Sequence, residues 1–444
     1  MRRPSPSLLP LSVALTLMSA APGAAADTRF SAPVHATTGQ SPSALVTADF
    51  DGDAKPDLAT TDYVDGSVSV LLGKGDGSFA PRRVYRTSHW PWDLAAADLN
   101  ADGRPDLVTV RGEGRGRVVV FLNDGAARFH RAQSWKLTAA AVVAGDVYGD
   151  GVVDLVTATE ARRDLAVMLG TGGGRFAPPR RSAGDRNGFN DLELGDMNGD
   201  GRLDAVLVTA REKLAVRLGN GDGTFGPERA TPADDEGENM LDVTLADFNH
   251  DGRLDATTAS YYGDVGVFPG RGDGTFGARR NYSTIGKADS VTVADYDADG
   301  TLDLAVSGAD YVPFVRRGRG DGTFGKSQYL DWVLADYGVT ADFNLDGRAD
   351  LAFVKSEQTS AGVFLNWTGL PAPPCVVLDL STFGFRAAKR YLGYSGCRLG
   401  HVTRLYSRRV RRNHVITQRP GESTVLPSGS AVDLVLSRGR RGSH

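Results

Sequence analysis

Cysteine is nearly missing from this chain of 444 residues: there are two, Cys375 and Cys397, so no disulfide framework holds most of it together. The seven histidines, at 35, 89, 130, 250, 401, 414 and 444, fall at no repeated ligand position, which argues against zinc or copper. Positive charge is not in excess. Lys and Arg number 50 against 54 Asp and Glu, a net charge of −4, where a nucleic-acid binder would show a basic stripe. Beyond the N-terminus no apolar run is long enough to span a membrane. No nucleophile, base and orienting group can be picked out along the chain. What is plentiful is glycine, 55 residues without a G-X-Y period, so collagen is excluded and a turn-rich fold is indicated. The hydrophobic share of 41% suffices for a large core and speaks against wholesale disorder.

The first 26 residues read as an address. Arg2 and Arg3 precede an apolar run from Leu8 to Ala20, and Ala24-Ala25-Ala26 stands before Asp27. That is the layout of a signal peptide cleaved after Ala26. The run is too short for an anchor and contains Pro10, and no cysteine follows it for lipid attachment. The mature chain is expected to be exported and soluble.

One phrase then recurs seven times. D-x-[DN]-x-D-x-x-x-D starts at Asp49, Asp98, Asp146, Asp196, Asp247, Asp295 and Asp342, with Tyr148 breaking the pattern in the third copy. A second phrase, best preserved as G-x-G-D-G-T-F, follows the first six copies and ends at Phe79, Phe129, Phe176, Phe225, Phe276 and Phe324. Between the phrases lie short runs such as Leu107–Val110 and Val118–Leu122, with no helical period. Each unit reads as four strands, the last starting at the Phe, in the length of one propeller blade. The fold expected is all-β, a seven-bladed β-propeller of four-stranded blades over residues 27–370. Phe30-Ser31-Ala32-Pro33 matches the start of a fourth strand, which the seventh unit lacks. Residues 30–38 are therefore expected to complete the seventh blade and remove an open edge.

The acidic phrase offers oxygen side chains at positions 1, 3, 5 and 9 and a carbonyl at position 7, a shell suited to a hard divalent cation. The first loop supplies Asp49, Asp51, Asp53, Lys55 and Asp57, and the second Asp98, Asn100, Asp102, Arg104 and Asp106. The third has Asp146, Asp150, Val152 and Asp154, with Tyr148 at position 3, so its site is expected to be the weakest or empty. The fourth has Asp196, Asn198, Asp200, Arg202 and Asp204, and the fifth Asp247, Asn249, Asp251, Arg253 and Asp255. The sixth has Asp295, Asp297, Asp299, Thr301 and Asp303, and the seventh Asp342, Asn344, Asp346, Arg348 and Asp350. Asp, Asn and Gly populate ordinary turns too, but seven loops with the same positions favour calcium, up to seven ions in a structural role.

These residues resemble the FG-GAP/VCBS repeats, which also form the integrin α-subunit propeller. Asp98–Leu107 and Asp342–Leu351 match the calcium loop of that family, and the G-x-G-D-G-T-F turns match as well. The resemblance implies a calcium-stabilised propeller used for adhesion and recognition. Departures are Tyr148 and Ala54, where the loop usually has Gly.

Strand direction alternates within a blade, so the loops after strands two and four share the face opposite the calcium loops. Their sequences vary and carry Trp90, Trp92, Tyr261, Tyr262, Tyr311 and Trp332, a candidate face for a sugar or peptide ligand. The alternative for Trp90 and Trp92 is packing between blades.

After the Pro-rich linker at 371–374 the charge flips, with 13 Lys and Arg against 3 Asp and Glu in residues 371–444. A short helix with Phe385, Ala388 and Leu392 on one face precedes three alternating runs, a small α+β unit. Residues 375–438 resemble a PASTA domain, in Cys375-Val376-Val377, Gly396-Cys397-Arg398-Leu399-Gly400, Val415-Ile416-Thr417-Gln418, Leu426-Pro427 and Val432–Ser437. They depart from it at Leu378 and at Asn413, where Asn in place of Gly still tolerates a left-handed backbone. The resemblance implies contact with bacterial cell-wall muropeptides. In an exported chain Cys375 and Cys397, flanking the helix, are expected to form a disulfide, two buried thiols being the alternative. A basic tail at 439–444 ends the chain. The basic charge of this segment suits an anionic wall polymer, extracellular nucleic acid or a plain solvated face.

The reading that results is a secreted, monomeric recognition or adhesion scaffold without catalysis. Its expected partner is an extracellular glycan, a muropeptide or a surface protein, and no specific nucleic acid. The alternative is a calcium-dependent extracellular carbohydrate-active enzyme, a lyase or hydrolase. An acid/base pair beside Tyr or Trp at the axial mouth of the propeller would favour the enzyme.

Overall fold

The structure, a computed structural model, describes residues 29–440 apart from short stretches at 32, 88–89, 112–115, 160–163, 184–187, 210–212, 233–238, 309–310, 331–334, 369–374, 378, 382, 395–396, 422–423 and 427–428. The expected signal peptide, the linker, Trp332 and the end of the basic tail lie outside the described residues. The chain forms two compact units, one over Val34–Val363 and the other of residues 29–33 with those from 364 on.

The first unit contains seven four-stranded antiparallel sheets, one per acidic phrase. In the second sheet Asp93–Ala97, Asp106–Val110, Val118–Asn123 and Phe129–Trp135 pair in chain order, and the first six sheets all follow that order. The seventh takes Tyr337–Ala341, Asp350–Val354 and Ser360–Phe364, and receives Val34–Thr37 as its fourth strand, with Val34 opposite Val363 and Thr37 opposite Ser360. The N-terminal segment thus closes the last sheet.

Second strands are buried along their whole length, as in Asp57–Asp62, and third strands along most or all of theirs, as in Val118–Asn123 and Ser67–Leu71, because sheets pack against both of their faces. The cores lie between successive sheets. Val68 and Val70 of the first meet Leu107 and Val119 of the second, and Val156 and Val167 of the third meet Phe189 and Leu207 of the fourth. Each such side chain, fully buried, contributes roughly 1.5–3 kcal/mol. First strands touch in succession from sheet to sheet, and Tyr337–Ala341 of the seventh touches Pro42–Ala48 of the first.

Fourth strands differ from expectation in three sheets. They begin at Phe129, Phe225 and Phe324 in the second, fourth and sixth, but at Arg83, Arg180 and Arg280 in the first, third and fifth. There the Phe makes only a short pairing, Phe79 with Gly73, Phe176 with Gly170 and Phe276 with Gly270. Pro81 and Pro178 follow the Phe in the first and third sheets, but Pro227 stands at the same place inside the strand Phe225–Pro232, so proline alone does not set where the fourth strand begins.

In the second unit the helix Phe385–Tyr394 buries Ala388 and Leu392 against Val415, Val432, Leu434 and Leu436. Arg398–Leu405 runs parallel to Ala431–Ser437, which pairs antiparallel with Val415–Arg419. Cys375 and Cys397 form a disulfide, with Cα atoms 4.5 Å apart. Asn413 has a left-handed φ of 62°. Residues before 33 pair with those after 364, through Ser31 N–H to Leu365 O at 2.8 Å and Trp367 N–H to Arg29 O at 2.6 Å.

Candidate functional site

All seven acidic phrases fold into the same loop, between the first and second strands of a sheet. The position-1 carboxylate holds the loop backbone. Asp49 Oδ1 accepts the amides of Gly52 and Asp53, and Oδ2 that of Ala54, at 2.7–3.1 Å. Asp98, Asp146, Asp196, Asp247, Asp295 and Asp342 accept the amides four and five residues on in the same way. Position 5 accepts the amide of position 7 in every loop, as in Asp299 Oδ1 with Thr301 N–H at 2.8 Å. Positions 4 and 6 are left-handed throughout, which Gly adopts freely and Ala54, Ala101, His250, Ala298 and Leu345 adopt under strain. Five of the seven loops therefore carry backbone strain at a non-glycine residue, and the third and fourth, with glycine at both positions, do not.

Position 9 has a second task that its spacing does not disclose. Asp57 Oδ2 accepts the amide of Phe50 at 2.9 Å, and its Oδ1 accepts that of Gly73 at 2.7 Å. Asp106, Asp154, Asp204, Asp255 and Asp303 make the same two bonds, each joining the acidic loop to the start of the glycine-rich turn. Burial raises these carboxyls, Asp57 to about 7, Asp106 and Asp154 to about 6 and Asp303 to about 8. Nearby loop carboxylates add to the rise, and a divalent cation at the same place reverses that logic.

The loops' oxygens fit a hard cation. Carboxylate oxygens of Asp49, Asp51 and Asp53 lie within 4.8 Å of one another, as do those of Asp295, Asp297 and Asp303. Asp51 Oδ1 and both carboxylate oxygens of Asp297 are buried without a hydrogen-bond partner, which is costly for a charged group. Burial, then Asp299, pushes Asp297 up to about 6, against the pull of Arg317, whose Nε is 3.4 Å away. At Tyr148 the third loop offers no carboxylate or amide oxygen, and the ring is exposed.

On the opposite face the structure brings together two of the expected aromatic residues and adds a third that sequence reading missed. Trp90 and Trp92, on the connection into the second sheet, both meet Tyr63, which follows the second strand of the first sheet. Tyr63 stacks on Trp90 with centroids 5.9 Å apart and stands edge-on to Trp92 at 5.9 Å. Arg111 lies over Trp90 at 4.6 Å. Tyr261 and Tyr262 form a separate edge-on pair, 5.3 Å apart, with Lys287 over Tyr261 at 5.2 Å. Tyr261 occupies the same place in the fifth repeat as Tyr63 in the first, six residues after the last Asp of its loop. Tyr311 begins a third strand of the sixth sheet.

A second cluster lies on the first strands. Five residues before each acidic loop stand Ala44, Asp93, Ala141, Asp191, Asp242, Ser290 and Tyr337, one from each sheet. Asp93 Oδ2 accepts the amide of Val142 at 2.9 Å, Asp191 Oδ2 that of Val243 at 3.0 Å, and Asp242 Oδ2 that of Val291 at 2.7 Å. Each bond fastens one sheet to the next. Burial pushes Asp93 of the second sheet up to about 6, and the charge of Asp242 of the fifth sheet adds to the rise. Burial raises Asp191 well above the usual carboxylate range, with the charges of Asp242 and Asp93 adding to the rise, and burial raises Asp242. Burial and then Asp242 push Glu193, two residues further along its strand, up to about 8. Burial and the surrounding carboxylates keep the Tyr337 phenol protonated. Periodicity alone could not reveal this ring, since one Asp among small residues looks like an ordinary solvent-facing position.

A family model described as an FG-GAP-like repeat matches residues 49–109, 98–157, 146–207, 196–257 and 256–306. Among curated proteins, a probable serine/threonine-protein kinase of Clostridium acetobutylicum is 42% identical over 53 residues, 12% of this chain and 8% of that one. The chain therefore spans under a tenth of that relative's length. Among solved structures, BBS1N in complex with ARL6DN is similar over 76% of this chain and 96% of its own, at 10% identity and a TM-score of 0.55. Sqt1 of Saccharomyces cerevisiae is similar over 74% and 84%, at 12% identity and a TM-score of 0.52. At these identities the two structures speak for the propeller fold alone.

Proposed function

Because the chain belongs to the FG-GAP-like repeat family, we propose that it is a secreted calcium-binding scaffold for recognition and adhesion, built on a seven-bladed propeller. The observation that carries the calcium reading is the buried Asp297 carboxylate, whose two oxygens have no hydrogen-bond partner beside Asp295 and Asp303. Calcium would be held by positions 1, 3, 5 and 9 and the position-7 carbonyl in up to seven loops, with the third weakest. It would supply the charge that crowded carboxylates otherwise lack. In this reading residues 1–26 direct export, residues 27–370 form the propeller, residues 371–374 link it, and residues 375–438 are a PASTA-like, wall-associated module before the tail. The protein acts as a monomer. The recognition surface is the face opposite the calcium loops, where exposed aromatic side chains sit on connections held by rigid sheets.

An array of glycans and bacterial muropeptides, probed with the full chain with and without calcium, tests the role. Binding of a glycan or muropeptide that depends on calcium supports it. Binding to nothing on the array, with calcium present, overturns the glycan and wall readings.

One observation favours a second reading, a calcium-dependent hydrolase or lyase. Asp191 and Asp242, with Glu193 near them, provide raised carboxyls of the kind that donate protons, beside the protonated Tyr337 phenol. Each of Asp191 and Asp242 also has an oxygen engaged in fastening the next sheet, which is why the scaffold reading is preferred. Release of new reducing ends from a polysaccharide, abolished in Asp191→Asn, would favour the enzyme.

A further inference from the structure

We propose that the junction of the first and second sheets, on the face opposite the acidic loops, binds an anionic sugar, with Arg111 and Arg117 holding its carboxylate and Trp92 its ring. The inference rests on the recognition reading above and specifies its ligand.

The first support is a pair of unspent positive charges. Among the described residues neither Arg111 nor Arg117 has a carboxylate partner, whereas Arg82 and Arg181, on neighbouring sheets, face Asp62 and Asp164. The contrast is written into the repeat. Five residues past the last Asp of its loop, the first unit has Asp62, buried among Ser67, Ser69 and Thr60, and the second unit has Arg111. Arg111 is preoriented by its stack on Trp90, which leaves the edge of the guanidinium, where its N–H donors lie, for a planar oxyanion.

Strain is the second support. Trp90 has a φ of 41°, a conformation that bulky residues rarely adopt, and yet its ring remains 48% exposed. The strained backbone sets Trp90 between Tyr63 and Arg111 while leaving about half of the residue open to solvent.

The cleft beside these residues is shallow. It holds only about 10 Å³, room for about one water, between Arg111 and Arg117, and is floored by Pro91, Thr109 and Val119. Whole-ligand pockets usually run to several hundred Å³, so a ligand here lies on the surface, with its carboxylate at the mouth of the cleft. Next to it Trp92 is 46% exposed, and no described ring lies parallel to it, so a sugar ring has an apolar surface to rest on.

A peptide is disfavoured by the backbone around the cleft. The amides of Thr87, Trp92, Arg111 and Ala139 all donate to carbonyls of this chain, so none of these four is open to an added strand.

The test uses the full chain in calcium-containing buffer and three probes: a galacturonate trisaccharide, the neutral galactose trisaccharide, and a triglutamate peptide, titrated by calorimetry. Galacturonate is expected to bind, and the other two to bind at least tenfold more weakly. Arg111→Gln with Arg117→Gln is expected to weaken galacturonate binding at least tenfold, and Trp92→Ala at least fivefold. Arg111→Lys, which keeps the charge but not the planar fork, is expected to lose several-fold and guards against misfolding of the double variant. Arg411→Gln with Arg412→Gln, in the basic second unit, is expected to leave binding unchanged. Unaltered binding in both the arginine and Trp92 variants, equal binding of triglutamate, or no binding of galacturonate overturns the proposal. If galacturonate fails while the array finds another glycan or a muropeptide, this inference falls and the recognition reading stands. Silence in both experiments removes both.

Discussion

Asp57 Oδ1 accepts the amide of Gly73 at 2.7 Å, and a Cβ on Gly73 would stand only 2.2 Å from the carbonyl oxygen of Pro56. The carboxylate ends the acidic phrase and the glycine begins the second phrase, so the two motifs are halves of one joint. The joint recurs as Asp154 with Gly170, Asp204 with Gly219, Asp255 with Gly270 and Asp303 with Gly318, each glycine pressed against a loop carbonyl. In the second sheet Asn123 takes the glycine's place and uses its own Nδ2 to bond Pro105 O at 3.1 Å.

Gly219→Ala should accordingly be costly although φ there is ordinary, because the added Cβ meets the backbone oxygen of Leu203. The expected loss is about 1–3 kcal/mol, the range for overpacking a tight site. Denaturant unfolding of the variant checks it, with Gly199→Ala as the comparison: that position is open, so the cost there comes from its left-handed φ of 74°.

Asp297→Asn separates metal binding from structure. Without calcium the substitution removes a buried charge that has no hydrogen bond, so the melting temperature should hold or rise. With calcium it should fall below that of the natural chain, because the sixth loop loses a charged ligand. Paired thermal melts in calcium and in chelator read both signs.

Glu193 gives a pH signature. Its carboxyl is raised from about 4.5 to about 8 by burial and Asp242, so folding favours its protonated form. Stability from this group is complete below about pH 4.5 and is lost as pH rises through about 8. Glu193→Gln should match the natural chain near pH 4.5 and melt increasingly above it toward pH 8. A difference that stays flat from pH 4.5 to 8.5 would contradict the assignment.

The Cys375–Cys397 bridge closes a loop across the helix, with 22 residues of separation. Replacing both by Ser should cost the second unit about 3 kcal/mol, the usual value for a loop of this size. Near-complete retention of its unfolding midpoint under reducing conditions would argue against that.

The repeat made much of the first unit legible. Seven copies of one phrase predicted seven sets of four strands, and Phe30-Ser31-Ala32-Pro33 predicted the return of the N-terminal segment, which Val34–Thr37 fulfils beside Ser360–Phe364. What stayed hidden was the consequence of bringing distant repeats together. Asp93, Asp191 and Asp242 are about fifty and a hundred residues apart, and nothing local distinguishes them from solvent-facing positions until the first strands converge. Tyr63 was hidden for the same reason, since its partners Trp90 and Trp92 belong to the next repeat. The later start of the fourth strand in the first, third and fifth sheets was also not legible, since the same phrase ending in Phe opens the strand directly in the second, fourth and sixth.

The most direct test of the account is the melting temperature of the first unit, measured in the natural chain with calcium, with excess chelator, and with chelator followed by excess calcium. The account predicts a fall of many degrees on chelation, full recovery on readdition, and a calcium-concentration dependence that follows ligand linkage. A melting temperature that is the same in all three conditions would contradict calcium as the element that neutralises the seven acidic loops.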